Sequence, residues 1–465
     1  MELYKDSSQP VEKRIEDLLK RMTLEEKAAQ LCGDLPVELI QNGMPSIEQL
    51  KEKFPYGHGR LTQYSMVGLS DPKKIARLTN VLQKYFVEET RLGIPVALQS
   101  ENLCGYPAMG GTLFPSQMNV SCTWEPELAE EMSSVIGKES RAVGINSAMS
   151  PVIDIVRDHR WGRVYETYGE DTYLTSQMGI HYVKGMQGDK KHGVACVAKH
   201  FLGYSETQGG LNTAATRIND RELYEVFATP FEAAMREADV SSVMANYAEI
   251  DGMCVVANRK IAHDLLRDTM KFEGILTSDG AGILKTYTDF KTASTYKEAG
   301  LLAKKAGTDT EIPVGASFRQ LPDYVRAGQL GESVLDESVR RVLKVKFEYG
   351  LFENPYKDDD SAKLDEMYIG DISDIIQFQQ QKRFNSFCIS FIIMVLGVVM
   401  LLLFIPLTRQ KIVGIEFLNL GVTAFVSGLY LTTDGRYLQL VFGDAHIYHV
   451  IAETALRLSI LPFLI

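Results

Sequence analysis

The chain has no surplus of positive charge. Its 49 lysines and arginines stand against 60 aspartates and glutamates, a net charge of −11. A nucleic-acid surface calls for clustered cations, so that class of partner is set aside and the balance reads as a solvated acidic surface. It has no closely paired cysteines. The six present, Cys32, Cys104, Cys122, Cys196, Cys254 and Cys388, are widely spaced and form no C-x-x-C. That pattern argues against a disulfide framework or a zinc site. It favours reduced, mostly buried thiols. It has no signal-peptide pattern at Met1-Glu-Leu-Tyr-Lys-Asp6, where a basic stretch followed by an apolar run is missing. Nor is there a glycine-rich phosphate turn after an early strand, the usual mark of a doubly wound dinucleotide-binding sheet.

What is present is a regular alternation. Residues 11–31 read as a helix, with Leu18, Leu19 and Met22 at near-helical spacing. Thr23-Leu-Glu-Glu26 is a capping-box pattern that restarts it. Short apolar runs at 93–98, 145–153, 194–198, 240–245 and 274–277 read as buried strands. Helical patterns lie between and after them at 126–143, 173–186, 221–238, 260–272 and 296–306. Strands separated by helices of this length imply repeated βα units on a parallel sheet. The expected fold class is α/β, a TIM-like (β/α)8 barrel, with the open doubly wound sheet as the competitor. Polar residues collect just past the strand ends: Glu101, Asp154, Lys199, His200, Tyr247 and Asp279. In a barrel that is the face where the loops converge and active sites form.

These residues carry a resemblance. Residues 11–356 resemble the N-terminal barrel domain of glycoside hydrolase family 3. The matching segments run in order. Arg14-Ile-Glu-Asp-Leu-Leu-Lys-Arg-Met-Thr-Leu-Glu-Glu-Lys27 is similar to the opening helix, and Arg91-Leu-Gly-Ile-Pro-Val96 leads to Glu101. Arg157-Asp-His-Arg-Trp-Gly-Arg163 precedes Tyr168-Gly-Glu-Asp171, followed by Lys199-His-Phe201 and Thr277-Ser-Asp-Gly280. Residues 340–355 are similar to the closing helix. One such match is weak; the ordered set is specific.

The resemblance implies a retaining β-glycosidase acting on terminal β-D-glucosyl or similar residues, with β-xylosides as an alternative substrate. It assigns Asp279 as nucleophile, the carboxylate that attacks the anomeric carbon to form a glycosyl-enzyme ester. The competing structural reading of Asp279 is a cap for the following helix. Gly280 is expected to leave room for a sugar ring. Glu101, Arg163, Lys199 and His200 resemble the glycone-binding set, and charged donors and acceptors suit sugar hydroxyls. Tyr247 resembles a tyrosine placed near the nucleophile. Lys199 and Arg163 are expected to favour ionised Asp279. Trp161 reads equally as a sugar platform or as core beneath the Arg163 loop. No metal or organic cofactor is implied.

A retaining enzyme also needs a general acid and base about 5–5.5 Å from the nucleophile. In two-domain members of the family it comes from a second α/β domain, for which no counterpart is read after Pro355. Some single-barrel members use an Asp-His pair on the loop after Lys-His-Phe. Here residues 203–213 contain no histidine and resemble the two-domain version. Glu206 is the nearest substitute acid by sequence. An impaired hydrolase is therefore one expectation, and a membrane-tethered sugar-binding sensor without turnover is the alternative.

The tail differs in character. A polar linker at 357–383 precedes residues 384–408, which carry no charge. A run of roughly 20 apolar residues suffices to cross a bilayer core. Spans are expected at 384–407, 412–431 and, cut short, 449–465, an all-α transmembrane segment resembling multi-span bacterial sensor modules. The expected location is the membrane, through this tail. The absence of an export pattern favours a cytoplasmic barrel, whereas the sensor resemblance puts the preceding segment outside. Cations flank the first span on both sides and set no orientation. The chain reads as a natural fusion or as an artefactual joining of two pieces. Oligomeric state is not legible.

Overall fold

The computed structural model describes residues 2–41 and 44–357, together with helical residues at 395–396, 398–399 and 401–403. The chain divides into two units, Met1–Met367 and Tyr368–Ile465. The boundary falls inside the stretch read as a linker. The expected membrane spans lie outside the described residues apart from those few helical positions. Among the described residues no helix is long and apolar enough to cross a membrane.

The first unit is built on a parallel sheet of seven short strands. They are β1 (Gly33–Asp34), β2 (Arg60–Leu61), β3 (Ala97–Ser100), β4 (Ser147–Ala148), β5 (Ala195–Phe201), β6 (Ser242–Ala245) and β7 (Ile275–Ser278). They pair in chain order, every neighbour parallel. The two edges are joined through one further segment: Thr310 bridges Thr277 beside it, and Glu311 bridges Cys32. Ser278 N donates to Thr310 O at 2.9 Å and Gly33 N to Glu311 O at 2.8 Å. The (β/α)8 expectation is thus met as a parallel α/β sheet of seven strands, with an eighth element reduced to a bridge. Gly33 permits the close approach, because a Cβ there would lie 2.6 Å from Ile312 Cγ2.

A buried carboxylate anchors this closing segment. Asp309 accepts from Arg267 at 2.7 Å, from Arg341 at 2.9 Å, from Ser338 at 2.6 Å and from the Leu276 amide at 2.8 Å. Burial raises its pKa, but the two guanidiniums, Lys304 and Ser338 outweigh it and hold the group at about 2. Arg267 belongs to the helix Lys260–Thr269, Arg341 to the closing helix Glu332–Glu348, and Leu276 lies in β7. One side chain therefore ties the last strand to the helices behind it.

The helices follow the apolar spacing where no breaker intervenes: Pro126–Ala142, Thr172–Gln187 and Tyr296–Ala306. Thr23 and Glu26 form the expected capping box, and the expected 11–31 helix is two helices, Val11–Leu19 and Leu24–Gln30. The 221–238 helix is not continuous. It passes through a wide turn at Leu223–Phe227 before Thr229–Ala238. Pro230 has no amide hydrogen to bond a carbonyl one turn back, so the ladder widens there. Cys32, Cys196 and Cys254 are buried free thiols, whereas Cys122 is exposed. Cys388 lies outside the described residues.

Candidate active site

The site forms where β3, β5, β6 and β7 end. β5 is buried along its whole length. Val197 belongs to an interior cluster with Met149, Met244 and Ile312. Lys199, two residues on, shares its face. The next residue in a regular strand points the opposite way. Here the register slips: Lys199 pairs with Met244 and Phe201 with Ala245, which leaves His200 as an extra residue. Such a bulge re-aims a side chain. Lys199 reaches Glu101 and His200 reaches Asp154 and Asp279, so two neighbours in sequence serve one site.

Asp279 follows β7, and its amide donates to Ala245 O at 3.1 Å. Ala281, not Asp279, occupies the N-cap position of the helix Gly282–Thr288, so the capping reading does not hold. Asp279 Oδ1 accepts from Gly280 N at 2.6 Å. Oδ2 is buried without a hydrogen-bond partner and lies 3.8 Å from His200 Nε2. The charge expectation needs correction. Burial raises the Asp279 pKa and prevails over Lys199, Arg163, the Gly280 amide and the Tyr247 hydroxyl, which all favour the carboxylate. Both cations are near, as expected, but desolvation is the larger effect. Gly280 keeps Tyr247 close: a Cβ there would meet its hydroxyl at 3.2 Å. Burial and the Asp279 charge push the Tyr247 phenol pKa up, so it is a neutral donor.

The remaining expected residues gather around this carboxylate with their charges engaged. Lys199 Nζ lies 2.6 Å from Glu101 Oε2, and Gln63 donates to Oε1 at 2.7 Å. Burial raises the Glu101 pKa, but Lys199, Gln63 and Arg163 together hold it below the ordinary value. Arg163 forks onto Glu166 with two bonds of 2.8 Å and sits over the Tyr204 ring, 5.7 Å from its centroid. His200 Nδ1 is 2.8 Å from Asp154 Oδ2, which also accepts from the His200 amide at 2.9 Å. Burial, Arg163 and Lys199 drive the His200 pKa well below its ordinary value. Burial raises Asp154 to about 7.

Trp161 resolves to the core. It is 1% exposed and meets Tyr204 edge-on at 5.1 Å. Glu206 stands apart. It lies on the short turn Tyr204–Glu206, and its pKa is raised by burial, with Arg157, Glu222 and Asp158 as its charged neighbours. It has the raised pKa of a general acid, but no described contact joins it to Asp279. Sequence reasoning did not single out Gln63, Glu166 or Tyr204. Glu166, one turn after Arg163, had a legible signal in that i,i+3 spacing. Gln63 had none, because β2 is only two residues long.

Residues 23–345 match the family described as glycosyl hydrolase family 3 N terminal domain. A putative beta-xylosidase of Formosa agariphila is 36% identical over 369 residues, 77% of this chain and 48% of that protein. The lysosomal beta glucosidase of Dictyostelium discoideum is 33% identical over 308 residues, covering 64% and 37%. Among solved structures, a β-glucosidase from Erythrobacter marinus superposes with a TM-score of 0.73 at 33% identity, covering 78% of this chain and 48% of its own. A Listeria innocua β-glucosidase in complex with glucose gives 0.68 at 30% identity, covering 77% and 49%. The chain thus spans about half the length of these first relatives. The matched span, the identity and the parallel sheet agree, and the chain belongs to glycosyl hydrolase family 3 through its N terminal domain.

Proposed function

We propose that this unit is the nucleophile-bearing part of a retaining β-glycosidase that removes terminal β-glucosyl or β-xylosyl residues. The observation that carries the reading is Asp279. It is a buried strand-end carboxylate with one oxygen held by Gly280 and the other unpartnered, facing Lys199, Arg163, His200 and Tyr247. A free, buried carboxylate oxygen beside the Lys199 and Arg163 charges suits attack on an anomeric carbon. The names of the relatives, glucosidases and xylosidases, support both sugars.

In this reading Glu101, Arg163, Lys199 and His200 hold the sugar's hydroxyls, and Tyr247 donates to the nucleophile or to the ring. Because Glu101 and Lys199 already neutralise each other, they present paired acceptor and donor groups to a neutral ligand. Glu206 is the acid/base candidate that sequence alone offers, and no described contact joins it to Asp279. A mechanism-based 2-deoxy-2-fluoro-β-glycoside tests the core of the proposal. Mass spectrometry of the digested protein is expected to find the sugar ester on the peptide carrying Asp279, and Asp279→Asn to take up none. A label on another residue, or equal labelling of the Asn variant, overturns it.

A further inference from the structure

We propose that Asp154 is a positioning residue that fixes His200 with its proton on Nδ1, leaving Nε2 a bare acceptor aimed at the nucleophile's free oxygen. The inference rests on the reading of Asp279 given above but concerns a different residue and a different atom.

The argument begins with one oxygen. Asp154 Oδ2 accepts from the His200 backbone amide at 2.9 Å, and an amide N–H is always a donor. The same oxygen lies 2.8 Å from His200 Nδ1. A carboxylate or carbonyl oxygen is a better acceptor for a backbone proton than a carboxylic hydroxyl, so Oδ2 is the oxygen without a proton, it accepts from the ring as well, and Nδ1 carries the hydrogen. This holds whether Asp154 is ionised or carries a proton on Oδ1, which is buried and without a partner. In a neutral imidazole the other nitrogen is then an acceptor. His200 is fully buried, and that burial, with the Arg163 and Lys199 charges, keeps the ring neutral. Its other neighbours are the Tyr204 ring, edge-on at 5.1 Å, and Asp279.

His200 Nε2 and Asp279 Oδ2 therefore face each other at 3.8 Å as two acceptors, each buried and each without a partner. Neither satisfies the other. A ligand oxygen beside Nε2 reaches it at about 2.8 Å and leaves Asp279 Oδ2 free. A hydroxyl there has one proton, and Nε2 is built to take it. The arrangement selects a ligand that donates a hydroxyl hydrogen to His200 and keeps the ring from donating to Asp279. With the opposite tautomer, Nε2–H would point at the carboxylate's free oxygen from 3.8 Å, draw on its charge and blunt its nucleophilicity. This is how a buried carboxylate sets a histidine tautomer without touching the reacting atoms.

The test reads the tautomer directly. The full chain is labelled with 15N-histidine, and the His200 ring signals are assigned against a His200→Gln variant. In the parent, Nδ1 is expected to show the protonated shift and Nε2 the bare one. A parent spectrum with Nε2 protonated, or with both nitrogens protonated near neutral pH, overturns the proposal even if no variant folds. Asp154→Ala removes the acceptor and is expected to move the proton toward Nε2; an unchanged spectrum in a folded Ala variant also overturns it. Asp154→Asn is expected to keep Nδ1–H, because the backbone amide forces its carbonyl oxygen into the Oδ2 position. Turnover of an aryl β-glycoside is expected to fall roughly 10- to 100-fold in the Ala variant, the range for losing a hydrogen bond to a charged group. The Asn variant is expected to recover part of that loss. If Asp279 labels normally and the tautomer is wrong, only this inference fails; if the tautomer is right and nothing labels, only the proposed function fails.

Discussion

Removing the Asp309 carboxylate is expected to loosen the closure of the sheet and, through it, the site. Asp309 joins Arg267, Arg341, Ser338 and the Leu276 amide within 2.6–2.9 Å, and it is fully buried. Asp309→Ala leaves Arg267 and Lys304 without this counter-charge and Arg341 with Glu337 at 4.0 Å, in a site where Arg267 is itself mostly buried. Breaking a buried ion pair by deleting one partner costs about 3–5 kcal/mol. Asp309→Asn keeps one oxygen and the volume, so its loss is expected to be smaller, about 2 kcal/mol, the difference between charged and neutral hydrogen bonds. The pH dependence carries a defined sign. The folded-state pKa is depressed from 3.8 to about 2. The stability it contributes is therefore present above pH 3.8 and is lost as pH falls toward 2, about 2 kcal/mol over that window. Urea unfolding followed by circular dichroism measures all three quantities. The structure also links this loss to function. β7 leads directly into Asp279, and its outer edge is held by Thr310, the residue after Asp309. Fluoroglycoside labelling of the Ala variant is expected to fail at a lower temperature than in the parent. An Ala variant within about 0.5 kcal/mol of the parent, the scatter expected of an inconsequential surface change, refutes the reasoning.

The other expectations concern the site. Lys199→Met removes the largest influence opposing the burial of Asp279. The acid limb of kcat/KM is expected to move to higher pH, and a limb that stays put or moves down contradicts the charge assignment. Glu206→Gln is expected to spare turnover of an activated aryl glycoside and of a plain disaccharide alike; selective loss of the disaccharide would reinstate Glu206 as the acid. Gly280→Ala places a methyl 3.2 Å from the Tyr247 hydroxyl. The labelling rate is expected to drop by roughly tenfold, the order of a 1–2 kcal/mol overpacking cost, and a rate equal to the parent's means that Tyr247 is not packed where it is placed here.

Local spacing alone determined the alternation of helices and strands, because apolar periodicity and capping are properties of adjacent residues. The Pro126–Ala142, Thr172–Gln187 and Tyr296–Ala306 helices, the Thr23 capping box and the placement of Glu101 and Asp279 just past their strands were legible in that way, whereas Lys199 and His200, expected past a strand ending at 198, lie inside β5. Strands of two residues, such as Gly33–Asp34 and Arg60–Leu61, carry no period to read. The bridge of Glu311 to Cys32 joins positions from the two ends of the sheet, so only folding reveals it. Tertiary structure also decided that His200 bulges out of register, that Trp161 packs in the core and that Asp154 turns to the His200 ring. Composition named the charges around Asp279. Their net effect depended on how deeply the fold buries that carboxylate, since desolvation and Coulomb attraction oppose each other and distance sets the balance.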